Sequence, residues 1–182
     1  MEASRRDFIN VAIGGMGVVG AVGVLYPIVK TLAPSAASTT EAKAEIDITK
    51  VPELGIRVTS YKGKPLFVVK LPKDASQKYS YKLNESAKNS AGKHNMDILG
   101  DKTVFALIGV CTHLGCIPLW KPQGADISGG NPTFHCPCHG GFYTPWGDVI
   151  GGPPPRPLWV PPQKLEGNKL VVGEAGFVEQ LV

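Results

Sequence analysis

The sequence predicts a mostly β domain carried behind a single N-terminal membrane helix. Three observations support this: an uncharged run from Val11 to Val29, β-branched and aromatic runs bounded by turn residues from Ile46 onward, and four cysteines confined to Cys111–Cys138. A chain of 182 residues has room for one ordinary domain and an appendage. The apolar share of 43% against 19% charged residues suits a folded core and argues against general disorder. The net charge of +4 is modest and its lysines are scattered, so the dense basic footprint of a nucleic-acid binder is missing.

Residues 1–10 read as a cytoplasmic N-terminus and 11–32 as a transmembrane anchor. The uncharged run, at about 1.5 Å per residue, spans about 28 Å, close to the hydrocarbon thickness of a bilayer. Lys30 reaches outward to the headgroups. The run exceeds the roughly 7–15 residues of a signal-peptide core, which favours an uncleaved, single-pass anchor. Small residues at Ser35-Ala36-Ala37 would also suit a peptidase. Arg5 and Arg6 place the N-terminus in the cytoplasm by charge bias, and Ser4-Arg5-Arg6-Asp7-Phe8-Ile9 resembles a twin-arginine export signal. The plainer reading is two positive-inside residues.

Gly15-Met16-Gly17-Val18-Val19-Gly20 matches the G-x-G-x-x-G spacing. A dinucleotide site needs a strand before it and a βαβ unit around it, and arginines stand there instead. Glycines at 14, 17, 20 and 23 better suit the close approach of another membrane helix. Residues 33–45 are small and polar and read as a tether reaching at most about 45 Å.

Residues 46–182 form the soluble domain. Strands are expected at Arg57–Thr59 and Pro65–Lys70, joined by a turn at Lys62-Gly63-Lys64-Pro65, and again at Thr103–Val110. Lys169–Val172 follows a Gly167-Asn168 turn and closes a hairpin. Lys73–Asn95 is polar and lysine-rich and reads as a surface insertion, with His94 exposed.

The cysteines lie in two boxes, Cys111-Thr112-His113-Leu114-Gly115-Cys116 and Cys136-Pro137-Cys138-His139-Gly140-Gly141. Thiolate and imidazole together suit zinc or iron–sulfur chemistry. A structural Cys2His2 zinc site would pair its cysteines in one arm and its histidines in the other, whereas each box here mixes the two. Two disulfides with incidental histidines would leave the repeated Cys–His spacing as coincidence. The spacing favours a [2Fe–2S] cluster with two cysteines on one iron and two histidines on the other. Two cysteines are then left over, and an oxidising compartment would bridge them.

C-T-H-L-G-C and C-P-C-H-G resemble the cluster-binding boxes of the Rieske iron–sulfur subunit of cytochrome bc complexes, bacterial type. Gly63–Val68, Ile108-Gly109-Val110, Gly152-Pro153-Pro154-Pro155 and the anchored N-terminus resemble the same family. The resemblance implies an antiparallel β-sandwich with a small cluster-binding subdomain at about 109–155. It implies that Cys111 and Cys136 bind the inner iron of one [2Fe–2S] cluster and His113 and His139 the outer iron. It implies that Cys116 and Cys138 form a disulfide, and that Gly152, Pro153, Pro154 and Pro155 cover the cluster. Tyr143, Gly141 and Leu114 take cluster-tuning positions, the Tyr143 hydroxyl donating to a ligand sulfur. His135 is an ordinary strand residue in this pattern.

The function implied is that of a respiratory-chain oxidoreductase subunit. It takes an electron and a proton from quinol, with His139 and His113 catalytic and His139 the contact, and passes the electron to a c-type cytochrome. The partners implied are a cytochrome b subunit and a c-type cytochrome within a dimeric complex in the inner membrane, the head on the periplasmic side. The alternative is the small Rieske subunit of another periplasmic oxidoreductase, such as an arsenite-oxidase-type enzyme. One departure stands out. The family often has serine where Gly141 stands, and that hydroxyl donates to a bridging sulfide. Its loss predicts a potential below the top of the roughly −150 to +300 mV Rieske range, which suggests a low-potential quinol such as menaquinol, the quinol being menaquinol or ubiquinol.

Overall fold

The computed structural model describes residues 4–32 and 43–173. The chain divides into two compact units, Met1–Thr40 and Glu41–Val182. Most of the expected tether, including Ser35-Ala36-Ala37, lies outside the described residues. Ala44 and Glu45, read with the tether, belong to the first strand.

In the first unit, helix α1 runs from Arg5 to Leu32 with Asp7 in its first turn and Lys30 in its last. Both charges complement the helix dipole. The segment Arg5–Thr31 is long and apolar enough to cross a membrane, and none of its most apolar window is buried. Glycines 14, 17, 20 and 23 all sit within this one helix, so no nucleotide-binding turn forms there.

Among the described residues, the second unit is built from ten short strands in three antiparallel sheets. Strand β1 is Ala44–Asp47, β2 Gly55–Tyr61, β3 Lys64–Lys70, β4 Val104–Ile108 and β5 Leu119–Lys121. Strand β6 is Thr133–Cys136, β7 Gly141–Tyr143, β8 Val149–Gly151, β9 Gln163–Glu166 and β10 Lys169–Val172. Two one-turn helices, α2 (Ala75–Lys78) and α3 (Met96–Leu99), lie between β3 and β4.

The middle sheet, β2-β3-β4, explains the continuous apolar runs of β3 and β4, since strands buried on both faces do not alternate with polar residues. Successive side chains of a strand point to opposite faces. Leu66, Val68, Ala106 and Ile108 pack with Ile46, Leu170 and Val172 of the β1-β10-β9 sheet. Phe67, Val69, Phe105 and Leu107 pack the other way, with Phe134, Tyr143 and Trp146. The Phe67 and Phe134 rings stack at 5.3 Å, joining the middle sheet to β6 of the β5-β6-β7-β8 sheet. Burying one such ring is worth about 1.5–3 kcal/mol. Gln163 extends the middle sheet by side chain alone: its Oε1 accepts the Ala106 N–H at 2.6 Å and its Nε2 donates to the Ala106 carbonyl at 3.0 Å.

The Lys73–Asn95 segment is not a surface insertion. Its Ala75, Tyr79 and Ala87 enter the main core. Its Tyr81 hydroxyl donates to the Pro132 carbonyl at 2.6 Å, and the Asn84 N–H donates to the Val149 carbonyl at 2.8 Å. His94 is buried rather than exposed, its ring nitrogens 3.5 Å from a Glu85 oxygen and 3.6 Å from Asp148 Oδ1. The lysines point outward while a few apolar and polar side chains strap the segment to the β5–β8 sheet.

Candidate metal centre

Both cysteine boxes are turns at strand ends. The first follows β4, where the Cys111 N–H donates to the Cys116 carbonyl at 2.7 Å and closes the box on itself. The second links β6 to β7, and Cys136 pairs with Gly141 across that hairpin. The ladder fixes the box from both sides, so its middle residues project from the sheet.

Cys111 and Cys136 are free and buried. Burial, and then the neighbouring Cys111 thiol, push the Cys136 thiol above its ordinary range. A metal binding there would displace these protons. His113 and His139 meet edge to face, with ring centroids 4.7 Å apart. His113 is half-buried and His139 exposed. The two thiols are thus buried and the two imidazoles nearer the surface.

Cys116 and Cys138 form a disulfide that joins the boxes. The sulfurs of Cys116, Cys136 and Cys138 all lie within 4.8 Å of one another. That trio is no ligand set, because two of its sulfurs are spent on the bridge. It shows instead how closely the disulfide packs against the second free thiol.

The residues fit an iron–sulfur cluster. Each box carries one buried free thiol and one of the two imidazoles that meet, and His113 Nδ1 is buried without a hydrogen-bond partner, open to a metal. A buried polar atom left unpaired is costly.

The Tyr143 hydroxyl donates to Cys111 Sγ at 3.1 Å, and burial and then this bond push its pKa upward. Thr112, which sequence reasoning passed over, ties the site together. Its N–H donates to the Tyr143 hydroxyl oxygen at 3.2 Å and its Oγ1 to the Arg156 carbonyl at 2.6 Å. The only sequence signal was its place between Cys111 and His113.

The proline loop lies on the second box. A Cβ on Gly152, whose φ is +86°, would collide with the Gly140 carbonyl, so only glycine permits this approach. A Cβ on Gly141 would stand 2.6 Å from Pro154 Cγ. Pro154 is buried, whereas Pro153 and Pro155 are exposed. Leu114 is 70% exposed at the tip of the first box. His135 pairs with Leu119 and Phe142 within the sheet and stacks on the Phe142 ring at 4.5 Å, an ordinary strand position.

The family model described as "Rieske [2Fe-2S] domain" matches residues 55–165. A second, described as "Ubiquitinol-cytochrome C reductase Fe-S subunit TAT signal", matches residues 1–35. The ubiquinol-cytochrome c reductase iron-sulfur subunit of Rickettsia conorii is 32% identical over 172 residues, 93% of each chain. That of Rhodospirillum rubrum is 32% identical over 173 residues, covering 94% of this chain and 92% of the relative. A solved chain titled "Hyperthermophilic respiratory Complex III" is 52% identical, with a TM-score of 0.55, covering 89% of this chain and 98% of that one.

Proposed function

The chain belongs to the Rieske [2Fe–2S] family, as an iron–sulfur subunit of the quinol–cytochrome c reductase kind, and from this membership we propose that it carries electrons from quinol to a c-type cytochrome. The observation that carries the proposal is the pairing of two buried free thiols with two shallower imidazoles under one disulfide. Cys111 and Cys136 would hold one iron, and His113 and His139 the other. When bound, the cluster supplies a one-electron acceptor whose charge makes the ligand imidazoles acidic.

The chain's own residues do the rest. His139, exposed at the rim, presents a ring nitrogen that accepts a hydrogen bond and then the proton of a quinol hydroxyl. His113, half-buried, holds the opposite edge of the site. The Tyr143 hydroxyl keeps Cys111 Sγ hydrogen-bonded, and the disulfide and proline loop hold the boxes in register. Helix α1 anchors the subunit beside cytochrome b in the inner membrane, with Arg5 and Arg6 on the cytoplasmic side and the domain on the other. The segment read as a tether, residues 33–45, carries the domain as it travels within a dimeric complex. The glycine at 141 favours a low-potential quinol such as menaquinol. The arsenite-oxidase-type alternative is not favoured, since the relatives named above are reductase iron–sulfur subunits.

Purification from membranes in mild detergent tests this reading. The expected preparation shows a Rieske-type paramagnetic spectrum and contains a b-type cytochrome; its isolation without one would defeat the assignment to this complex. His139→Ala should abolish both the cluster signal and quinol oxidation. An intact Rieske spectrum in that variant would remove His139 from the ligand set.

A further inference from the structure

A second polar constellation lies beneath the site, and the reaction makes no direct use of it. Tyr143, which ends β7, is followed by a tight turn over residues 144–148. The Thr144 N–H donates to the Asp148 carbonyl at 2.7 Å, and the Gly147 N–H to the Thr144 carbonyl at 2.9 Å. The Asp148 N–H donates to Thr144 Oγ1 at 3.1 Å.

This turn is gripped from a distant part of the chain. Asp148 Oδ1 accepts the Asn95 N–H at 2.6 Å, and Oδ2 accepts the Met96 N–H at 2.8 Å. In return Asn95 Nδ2 donates to the Trp146 carbonyl at 3.0 Å and to the Leu158 carbonyl at 2.8 Å. Asn95 and Asp148 are both fully buried. Hydrogen bonds to a carboxylate are the stronger kind, and inside a protein they hold geometry tightly. Each carboxylate oxygen accepts one of these N–H groups, whereas an amide in the same place would turn its NH2, a donor, towards one of them. Trp146 and Leu158 carry the grip to both sides of the turn. Tyr143 is therefore held at its main chain by Thr133 Oγ1, which donates to its carbonyl at 2.5 Å, and just beyond by this interlock.

We propose that Asp148 and Asn95 are positioning residues that set the cluster's reduction potential by holding Tyr143 within hydrogen-bonding distance of Cys111. This rests on the Rieske reading of Cys111 as an iron ligand. A hydrogen bond to a ligand sulfur raises the potential because it stabilises the added electron. If the interlock loosens, the Tyr143 hydroxyl withdraws and the potential falls. The sign is diagnostic. Acting only through its charge, Asp148 would lower the potential, and neutralising it would raise it. A merely structural role would leave it unchanged.

The test is redox titration, followed by paramagnetic resonance, of the full chain in its complex. The variants are Asp148→Asn and Asn95→Ala, each also built on Tyr143→Phe. The expected result is a downward shift for both single variants that disappears in the Tyr143→Phe background. An unchanged or raised potential overturns the proposal, as does a fall that persists without the hydroxyl. Should Asp148→Asn lose its cluster, Asn95→Ala, which keeps the carboxylate, decides alone: a fall supports the proposal, and an unshifted or absent cluster signal overturns it. A wild-type chain without a Rieske spectrum would instead break the reading on which this rests.

Discussion

The Tyr143 hydroxyl donates to Cys111 Sγ across 3.1 Å, the one side-chain O–H joining the second box's hairpin to a sulfur of the first box among the described residues. Tyr143→Phe keeps the buried ring and removes that donor. The fold should survive at a cost of about 1 kcal/mol, since Thr112 also loses an acceptor. The cluster should remain with a lower midpoint potential. A redox titration superimposable on the wild type would show that the hydroxyl does not tune the sulfur.

Gly141 and Pro154 form a size pair. Serine at 141 would bring a donor to the cluster, but its Cβ would press on the Pro154 ring. Gly141→Ser alone should therefore destabilise the proline loop by about 1–3 kcal/mol, the ordinary range for overpacking. Combined with Pro154→Ala, the same serine should fit and raise the potential. Thermal unfolding and redox titration of both singles and the double give the coupling; strict additivity in stability would contradict the contact.

The Cys116–Cys138 bridge closes a loop with a sequence separation of 22. In the chain-entropy model such a closure is worth about 3 kcal/mol. Cys116→Ala with Cys138→Ala should lower stability by that order and speed cluster loss on dilution, because the bridge alone ties the boxes covalently. Visible absorption against time measures the second effect, and a loss rate equal to wild type would limit the disulfide to a general role.

Asp148 carries a pH signature. Burial pushes its carboxyl from 3.8 up to about 6, despite the Asn95 and Met96 N–H groups and the nearby His94 pulling the other way. Between those values the folded chain holds the proton more tightly than the unfolded chain. Stability from this group is therefore greatest below about pH 4 and falls as pH rises to about 6, by roughly 3 kcal/mol in all. The stability difference between wild type and Asp148→Asn should shrink or invert across that window and level off above it. Denaturant midpoints at a series of pH values check this; a flat difference would mean the carboxyl titrates at its ordinary value.

The boxes were legible because metal ligation demands fixed residue types at fixed spacing. The same held for the β9–β10 hairpin, whose Gly167-Asn168 turn is a local signal. Legibility failed where partners are remote. Lys73–Asn95 displays its lysines in the sequence, while its buried Ala75, Tyr79 and Ala87 are too few to mark a buried face. His94 and Asn95 are buried because Asp148, more than fifty residues on, receives them. The Gly141–Pro154 contact was equally hidden: glycine read as a missing donor, and only the fold showed a missing volume.

Four thiols allow several bridges, and only the one between Cys116 and Cys138 spares both cysteines proposed to hold iron. Cys111 and Cys136 are left as free thiols, so an oxidant that arrives before iron meets a second pair. The molecule therefore has a chronology as well as a shape. Iron that arrives first guards one pair and leaves the oxidant only the other; in the reverse order, the same architecture would seal itself against its own cofactor.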